Sequence, residues 1–224
     1  IFNYAHMPAR FKTQRQINDA DMPSSEVKLD ILQMVGLKLT AAGYVYIGMD
    51  HFALPEDELA RAQRNGDLHR NFMGYTTRRG SDMVSLGVSS IGEVDGAFVQ
   101  NASTEGEYLA KIDERGYATY RGHSLSAEDQ LRRDTIVGLM CNGVLRKREI
   151  EERHGIVFDT HFAAELDQLR PLVADGLVLL DPDAIRITPL GQLFLRNAAL
   201  PFDTYLAARR AAGGDGSKTF SRTL

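Results

Sequence analysis

Apolar residues return at two different periods along this chain. Leu29, Leu32, Val35 and Leu39 recur at three- and four-residue steps, the spacing of one helix face. Ser24 or Ser25 can cap that helix, and Gly43 ends it. Residues 44–49, rich in aromatic and β-branched side chains, predict a strand. A helix leading into a strand is the unit of an α/β barrel or a doubly wound sheet. Pro55 is expected to open the next helix, where its missing N–H is harmless, and the helix dipole favours Glu56, Asp57 and Glu58 in the first turn. That helix stops near Asn65-Gly66. Residues 67–81 read as an ordered loop and 83–90 as a strand, with Gly92 and Gly96 marking a turn. A short extended piece over 98–101, a helix over 104–115 and extended chain over 118–121 follow. Residues 1–23 read as irregular.

The pattern changes after Gly122. Ser126-Ala127-Glu128-Asp129 starts a long helix whose apolar stripe is Leu131, Ile136, Leu139 and Met140. A short basic–acidic helix over 146–153 follows, then a third over 161–174 with Phe162, Leu166, Leu169 and Leu172 facing inward. Two apolar runs, 177–180 and 184–187, flank Asp181-Pro182-Asp183 and predict a hairpin. Thr188-Pro189 caps a further helix to about Asn197, Pro201 starts the last one, and residues 213–217 form a flexible tail. Three helices, a hairpin and a closing helix have the outline of a winged helix. The chain thus divides into residues 1–121 and 122–224.

Composition narrows the function. Of 224 residues, 43% are hydrophobic and 25% charged, ordinary for a globular protein. The net charge of −4 argues against a nucleic acid or an anionic membrane as the main partner. No run of about 18 apolar residues suggests a membrane span. The first residues hold no initiating Met and no basic leader, so they are expected to lie inside a longer chain. The single Cys141 rules out an intramolecular disulfide and points to a reducing compartment. On a helix it reads as a small buried apolar residue. One thiolate cannot build a four-iron cluster.

Several consecutive stretches carry a family resemblance. They include Phe2-Asn3-Tyr4-Ala5-His6, Asp19-Ala20-Asp21-Met22-Pro23, and Ile47-Gly48-Met49-Asp50-His51-Phe52-Ala53. Leu68-His69-Arg70-Asn71-Phe72-Met73-Gly74-Tyr75-Thr76-Thr77, Leu86-Gly87-Val88-Ser89-Ser90-Ile91, Phe202-Asp203-Thr204-Tyr205-Leu206 and Phe220-Ser221-Arg222 continue it. Together they resemble the later half of the oxygen-independent coproporphyrinogen III dehydrogenases, radical S-adenosylmethionine (SAM) enzymes of haem synthesis. The fold implied is α/β: the C-terminal portion of an incomplete (β/α) barrel, followed by a mainly helical, winged-helix-like domain. The reaction implied is oxidative decarboxylation of two propionates of coproporphyrinogen III, giving protoporphyrinogen IX. A [4Fe-4S] cluster cleaves SAM reductively, and the radical so formed takes a hydrogen atom from the propionate. The three-Cys cluster motif is expected upstream of Ile1, so this chain alone is expected to be inactive. An electron donor of unknown identity, a cytoplasmic location and a monomeric state complete what the resemblance implies.

The resemblance also implies residue roles. Ala5 and Ile91 match positions lining a SAM site, through backbone or packing. Phe72 matches a position near both SAM and substrate. Met73 departs from the family, where Gln is expected, and a thioether is a poor hydrogen-bonding group. His51 is a candidate for proton transfer or substrate binding. Four carboxylates on the substrate would suit Arg forks, for which Arg70 and Arg79, with Arg78 and Arg10, are candidates. Tyr4 and Tyr75 are flat enough to pack on a macrocycle, and His69 flanks the Phe72 loop. An alternative is a haem-carrying paralogue without dehydrogenase activity, to which Met73 points. A nucleic-acid module built on Arg146-Lys147-Arg148 and the hairpin as wing is opposed by Glu149, Glu151, Glu152, Asp181 and Asp183.

Overall fold

The computed structural model describes residues 4–9 and 11–211. Arg10, the opening Ile1-Phe2-Asn3, the 213–217 tail and Phe220-Ser221-Arg222 lie outside the described residues. After two 3-10 turns, Ser24 caps α1 (Ser25–Ala41) by accepting the Val27 N–H. Gly43 at φ 90 turns the chain into β1 (Val45–Gly48). The expected helix-then-strand unit is therefore present. Its apolar stripe is only half-buried, and Leu37 is 73% exposed.

β1 turns directly into β2 (His51–Ala53) and pairs with it antiparallel. Pro55 does not open the next helix. It lies in a turn closed by the Asp57 N–H and Leu54 carbonyl (3.0 Å), and α2 (Glu58–Asn65) begins with Asp57 as its cap. A carboxylate accepting the Leu59 N–H (2.8 Å) satisfies an orphan donor, which Pro55 has no means of doing. Gly66 ends the helix in the left-handed conformation.

The stretch 67–81 holds a hairpin, β3 (His69–Asn71) and β4 (Gly74–Thr76), where a loop was expected. Strands of three residues are too short to display a period. The strand expected at 83–90 is also corrected. Only Met83 pairs, with Glu93, and Val84 and Leu86 are 76% and 86% exposed. The strand comes later, β5 (Ile91–Val94), and runs straight through Gly92. A Cβ there would stand 2.6 Å from the Met83 carbonyl oxygen, so glycine permits the close approach. Asp95-Gly96, both at positive φ, make the two-residue turn into β6 (Ala97–Asn101). Thr104 caps α3 (Glu105–Arg115), and β7 (Thr119–Ser124) completes the sheet in the order β5-β6-β7.

Ser126 and Asp129 form a reciprocal capping box that starts α4 (Ala127–Asn142). β8 (Val144–Arg146) then leads into α5 (Lys147–His154), α6 (Phe158–His161) and α7 (Ala163–Ala174). β9 (Val178–Leu180) and β10 (Ala184–Ile187) form the expected hairpin, and β8 adds a third strand in the order β8-β10-β9. The helix expected after Thr188 is mostly a 3-10 turn (Gly191–Phe194) followed by α8 (Leu195–Ala199). Thr188 Oγ1 accepts the Gly191 N–H at 3.0 Å. α9 (Thr204–Ala211) closes the described chain. The helices α4 to α7, of which α6 is a single turn, and a three-stranded wing give this half its winged-helix form, and the chain as a whole is α/β. Every strand pairing among the described residues is antiparallel.

Two cores meet on α4. Leu131 and Leu139 belong to one, with Phe158, Phe162, Leu169, Ile185 and Phe202. Cys141 belongs to the other, with Ile47, Ala60 and Leu68.

Candidate functional site

The β1–β2 turn sets the first part of the site. Gly48 (φ 143) passes so close to Tyr75 that a Cβ would stand 2.4 Å from its hydroxyl oxygen. Tyr75 reaches over to donate to the Met140 carbonyl (3.0 Å), tying β4 to α4. Burial pushes its phenol upward, and that of Tyr46 up to about 12, with Asp50 adding to the latter. His51 lies three residues beyond the end of β1 and opens β2. Its ring meets Tyr75 edge-on at 5.2 Å. Its Nδ1 lies 2.7 Å from Asp50 Oδ1, close enough for an ion pair when the ring is protonated but without the alignment of a hydrogen bond.

Arg70 lies over the Tyr75 ring, 4.9 Å from its centre. Its Nη1 is buried and has no hydrogen-bond partner. Beneath this cluster the Cys141 thiol is pushed up to about 12 by burial, which outweighs the opposing pull of Arg70 and Arg79. It is a neutral core group, as the burial tendency of a free cysteine suggested. His69 is drawn below the usual imidazole range by burial and then by Arg79. Arg79 lines a separate polar cavity of about 240 Å³ with Asp134, Arg153 and Asn142.

Asn71 Oδ1 accepts the Met73 N–H (2.9 Å) and shapes the β3–β4 turn. The turn leaves Met73 82% exposed. Phe72, half exposed, packs edge-on against Phe98 of β6 with ring centres 5.0 Å apart. Strand register then relates Phe72 to Ile91. Ile91 stands opposite Gln100 and Gln100 opposite Arg121; the next rung is Glu93, Phe98 and His123. Opposed residues share a face, so Ile91, Phe98 and Arg121 lie on one side of the sheet. Ala5 is held elsewhere, its carbonyl accepting from Gln14 Nε2 at 3.1 Å. The described contacts join Phe72 and Ile91 to this sheet, and Ala5 to neither. Tyr4 stacks near His6, which pairs with Asp19.

The same sheet face forms a wall of a cavity of about 710 Å³, closed by α4 and the start of α9. Phe98, Ile136, Val137 and Phe202 give it an apolar lining; its polar groups include Arg121, Arg132, Arg133, His123 and Tyr205, with the carboxylates of Asp129 and Asp203. Tyr205 donates to Asp129 Oδ1 (2.9 Å) and lies 3.0 Å from His123 Nε2. Sequence reasoning missed these residues. The one available signal was that Arg121 and His123, two apart in extended chain, share a face.

The basic run Arg146-Lys147-Arg148 is engaged in ion pairs within its own half. Lys147 is buried with its Nζ 2.7 Å from Asp159, while Arg148 pairs with Glu152 and Arg146 with Glu149. No helix among the described residues is long and apolar enough to cross a membrane.

Sequence and structural relatives place the fold in a class. Residues 125–194 match the HemN C-terminal domain. A solved structure of the Escherichia coli coproporphyrinogen III oxidase HemN, a radical SAM enzyme, superposes with a TM-score of 0.88 at 48% identity, covering 91% of this chain and 47% of that one. The oxygen-independent coproporphyrinogen III oxidase of Salmonella typhimurium is 48% identical over 92% of this chain and 45% of its own length. That of Thermostichus vulcanus is 41% identical over 100% of this chain and 67% of its own. The chain belongs to the oxygen-independent coproporphyrinogen III oxidase family and corresponds to its C-terminal part. It spans about half the length of most of the relatives it matches.

Proposed function

We propose that this chain supplies one wall of the SAM and substrate pocket of an enzyme that oxidatively decarboxylates two propionates of coproporphyrinogen III, giving protoporphyrinogen IX. The observation that carries the reading is the sheet face joining Ile91 to Phe72 through Phe98. Half-buried aliphatic and aromatic groups there fit a nucleoside by packing, so Ile91 and Phe72 would hold SAM, with Ala5 contributing a backbone edge. When bound, SAM supplies the hydrogen-atom abstraction that starts each decarboxylation. The protein's part is to position the propionate and exclude water.

The donor set here does not fit the [4Fe-4S] cluster. Cys141 is the sole thiol, is buried and is held neutral, and the described residues contain no group of three metal-binding side chains. Cluster and electron input therefore belong to the rest of the enzyme. Arg70 suits a carboxylate because its buried Nη1 lacks a partner; Arg79 and His51 are secondary candidates. We read the enzyme as a cytoplasmic monomer with residues 1–121 and 122–224 as two units.

An anaerobic assay with SAM, reductant and coproporphyrinogen III tests this reading. Full-length protein is expected to form protoporphyrinogen IX, and this chain alone none. Product from this chain alone would overturn the division of labour. Stoichiometric haem uptake without turnover by the full-length protein would favour the haem-carrying alternative, to which the exposed Met73 thioether belongs.

A further inference from the structure

Among the described residues three arginines reach the large cavity, and two are already neutralised. Arg132 pairs with Glu128 (2.5 Å) and Glu165 (2.8 Å), and Arg133 with Glu93 (2.5 Å). Arg121 has no carboxylate partner among the described residues. Its Nε donates to Gln100 Oε1 at 2.8 Å, and Gln100 is itself oriented by donating from Nε2 to the Ser89 carbonyl (3.0 Å). This fixes the guanidinium by its inner nitrogen. The two outer nitrogens carry no hydrogen bond among the described residues, which is the fork that binds a carboxylate end-on.

Arg121 also lies at a defined place relative to Ile91. The two are on the same rung with one strand between them, which sets their backbones roughly 10 Å apart at the usual strand spacing. Between them and beside them run the Gln100 amide and the Phe98–Phe72 aromatic pair. An apolar floor with one free cation at its edge suits a flat, apolar ligand bearing carboxylates. The volume of about 710 Å³ is within the roughly 300–1,000 Å³ of ligand pockets.

We propose that Arg121, set by Gln100, binds a propionate of the tetrapyrrole that does not react. It thereby decides which side chain of the macrocycle is presented beside Ile91. This rests on the porphyrinogen being the substrate. A reacting propionate must lie at SAM, so a cation one strand beyond Ile91's neighbour is placed for the side chain of another pyrrole. Arg121 is an exposed residue of an edge strand, so its replacement leaves the core untouched.

The test is fluorescence titration of full-length protein with two stable porphyrins. Coproporphyrin III keeps all four propionates; protoporphyrin IX keeps only the two that do not react. Arg121→Gln is expected to weaken both at least tenfold, with Arg121→Lys recovering part of the loss. Weakening of coproporphyrin III alone would assign Arg121 to a reacting propionate and overturn the proposal. Equal binding by wild type and Arg121→Gln would overturn it while leaving the substrate reading intact. Failure of the wild type to bind either porphyrin would overturn both.

Discussion

Gly48 and Tyr75 meet at a point where a single atom decides the outcome. A Cβ at position 48 would stand 2.4 Å from the Tyr75 hydroxyl oxygen, on a backbone at φ 143. Gly48→Ala should cost about 1–3 kcal/mol from strain and overpacking, read by urea unfolding. Tyr75→Phe removes the clashing atom along with the bond to Met140, so the double variant should lose less than the two single losses combined; strict additivity would refute the contact. The buried acids of this region give a pH signature. The Cys141 thiol, ordinarily near 9, and the Tyr46 phenol, ordinarily near 10, are both raised to about 12. Above pH 9 the unfolded chain releases these protons while the folded chain retains them. Unfolding therefore becomes easier as pH rises from about 9 to about 12. Cys141→Ala should flatten the first part of that decline in melts at about pH 8 and about pH 10.5. Cys141's burial was legible from the burial tendency of a free cysteine on a helix. The Arg121 fork was not, because its availability depends on Gln100 and on which carboxylates neighbouring arginines have already taken.

Elements were legible where they are long and carry their own end signals. α1, α3 and α4 begin at Ser24, Thr104 and Ser126, and each of these side chains accepts a backbone N–H three residues on. Short strands were not legible. β3, β4 and β8 have three residues each, and β5 contains a glycine whose role appears only when Met83 is seen beside it. α4 and α5 are linked by Asp134, which accepts from Arg153 and lies against His154, both at 3.0 Å. Burial works against this carboxylate's charge, but these hydrogen bonds win and hold it below the usual range. Its contribution is therefore present above about pH 4 and is lost as pH falls through the depressed value. Asp134→Asn should destabilise by about 1–3 kcal/mol at neutral pH. The gap from wild type should close in acid; a gap that persists unchanged at about pH 2.5 would refute the charge-based account.

At the scale of the whole molecule, α4 is the shared element. Leu139 is fully buried in one core and Cys141, two residues on, in the other. Leu139→Ala should cost about 2–5 kcal/mol, and both cores should be lost in one transition. Hydrogen exchange that protects β1 and β3 after the wing has opened would show that the cores are independent. The sequence by itself determined the family, the mixed α/β class, the winged-helix order and the neutral fate of Cys141. Those follow from local periodicity, capping and turn chemistry, and from long matched motifs. Tertiary structure alone decided that Ile91, Phe72 and Arg121 serve one face, and that Arg79 lines a different cavity from Arg121. Register between strands and competition among ion pairs are contacts between residues distant in the chain, and no local pattern records them.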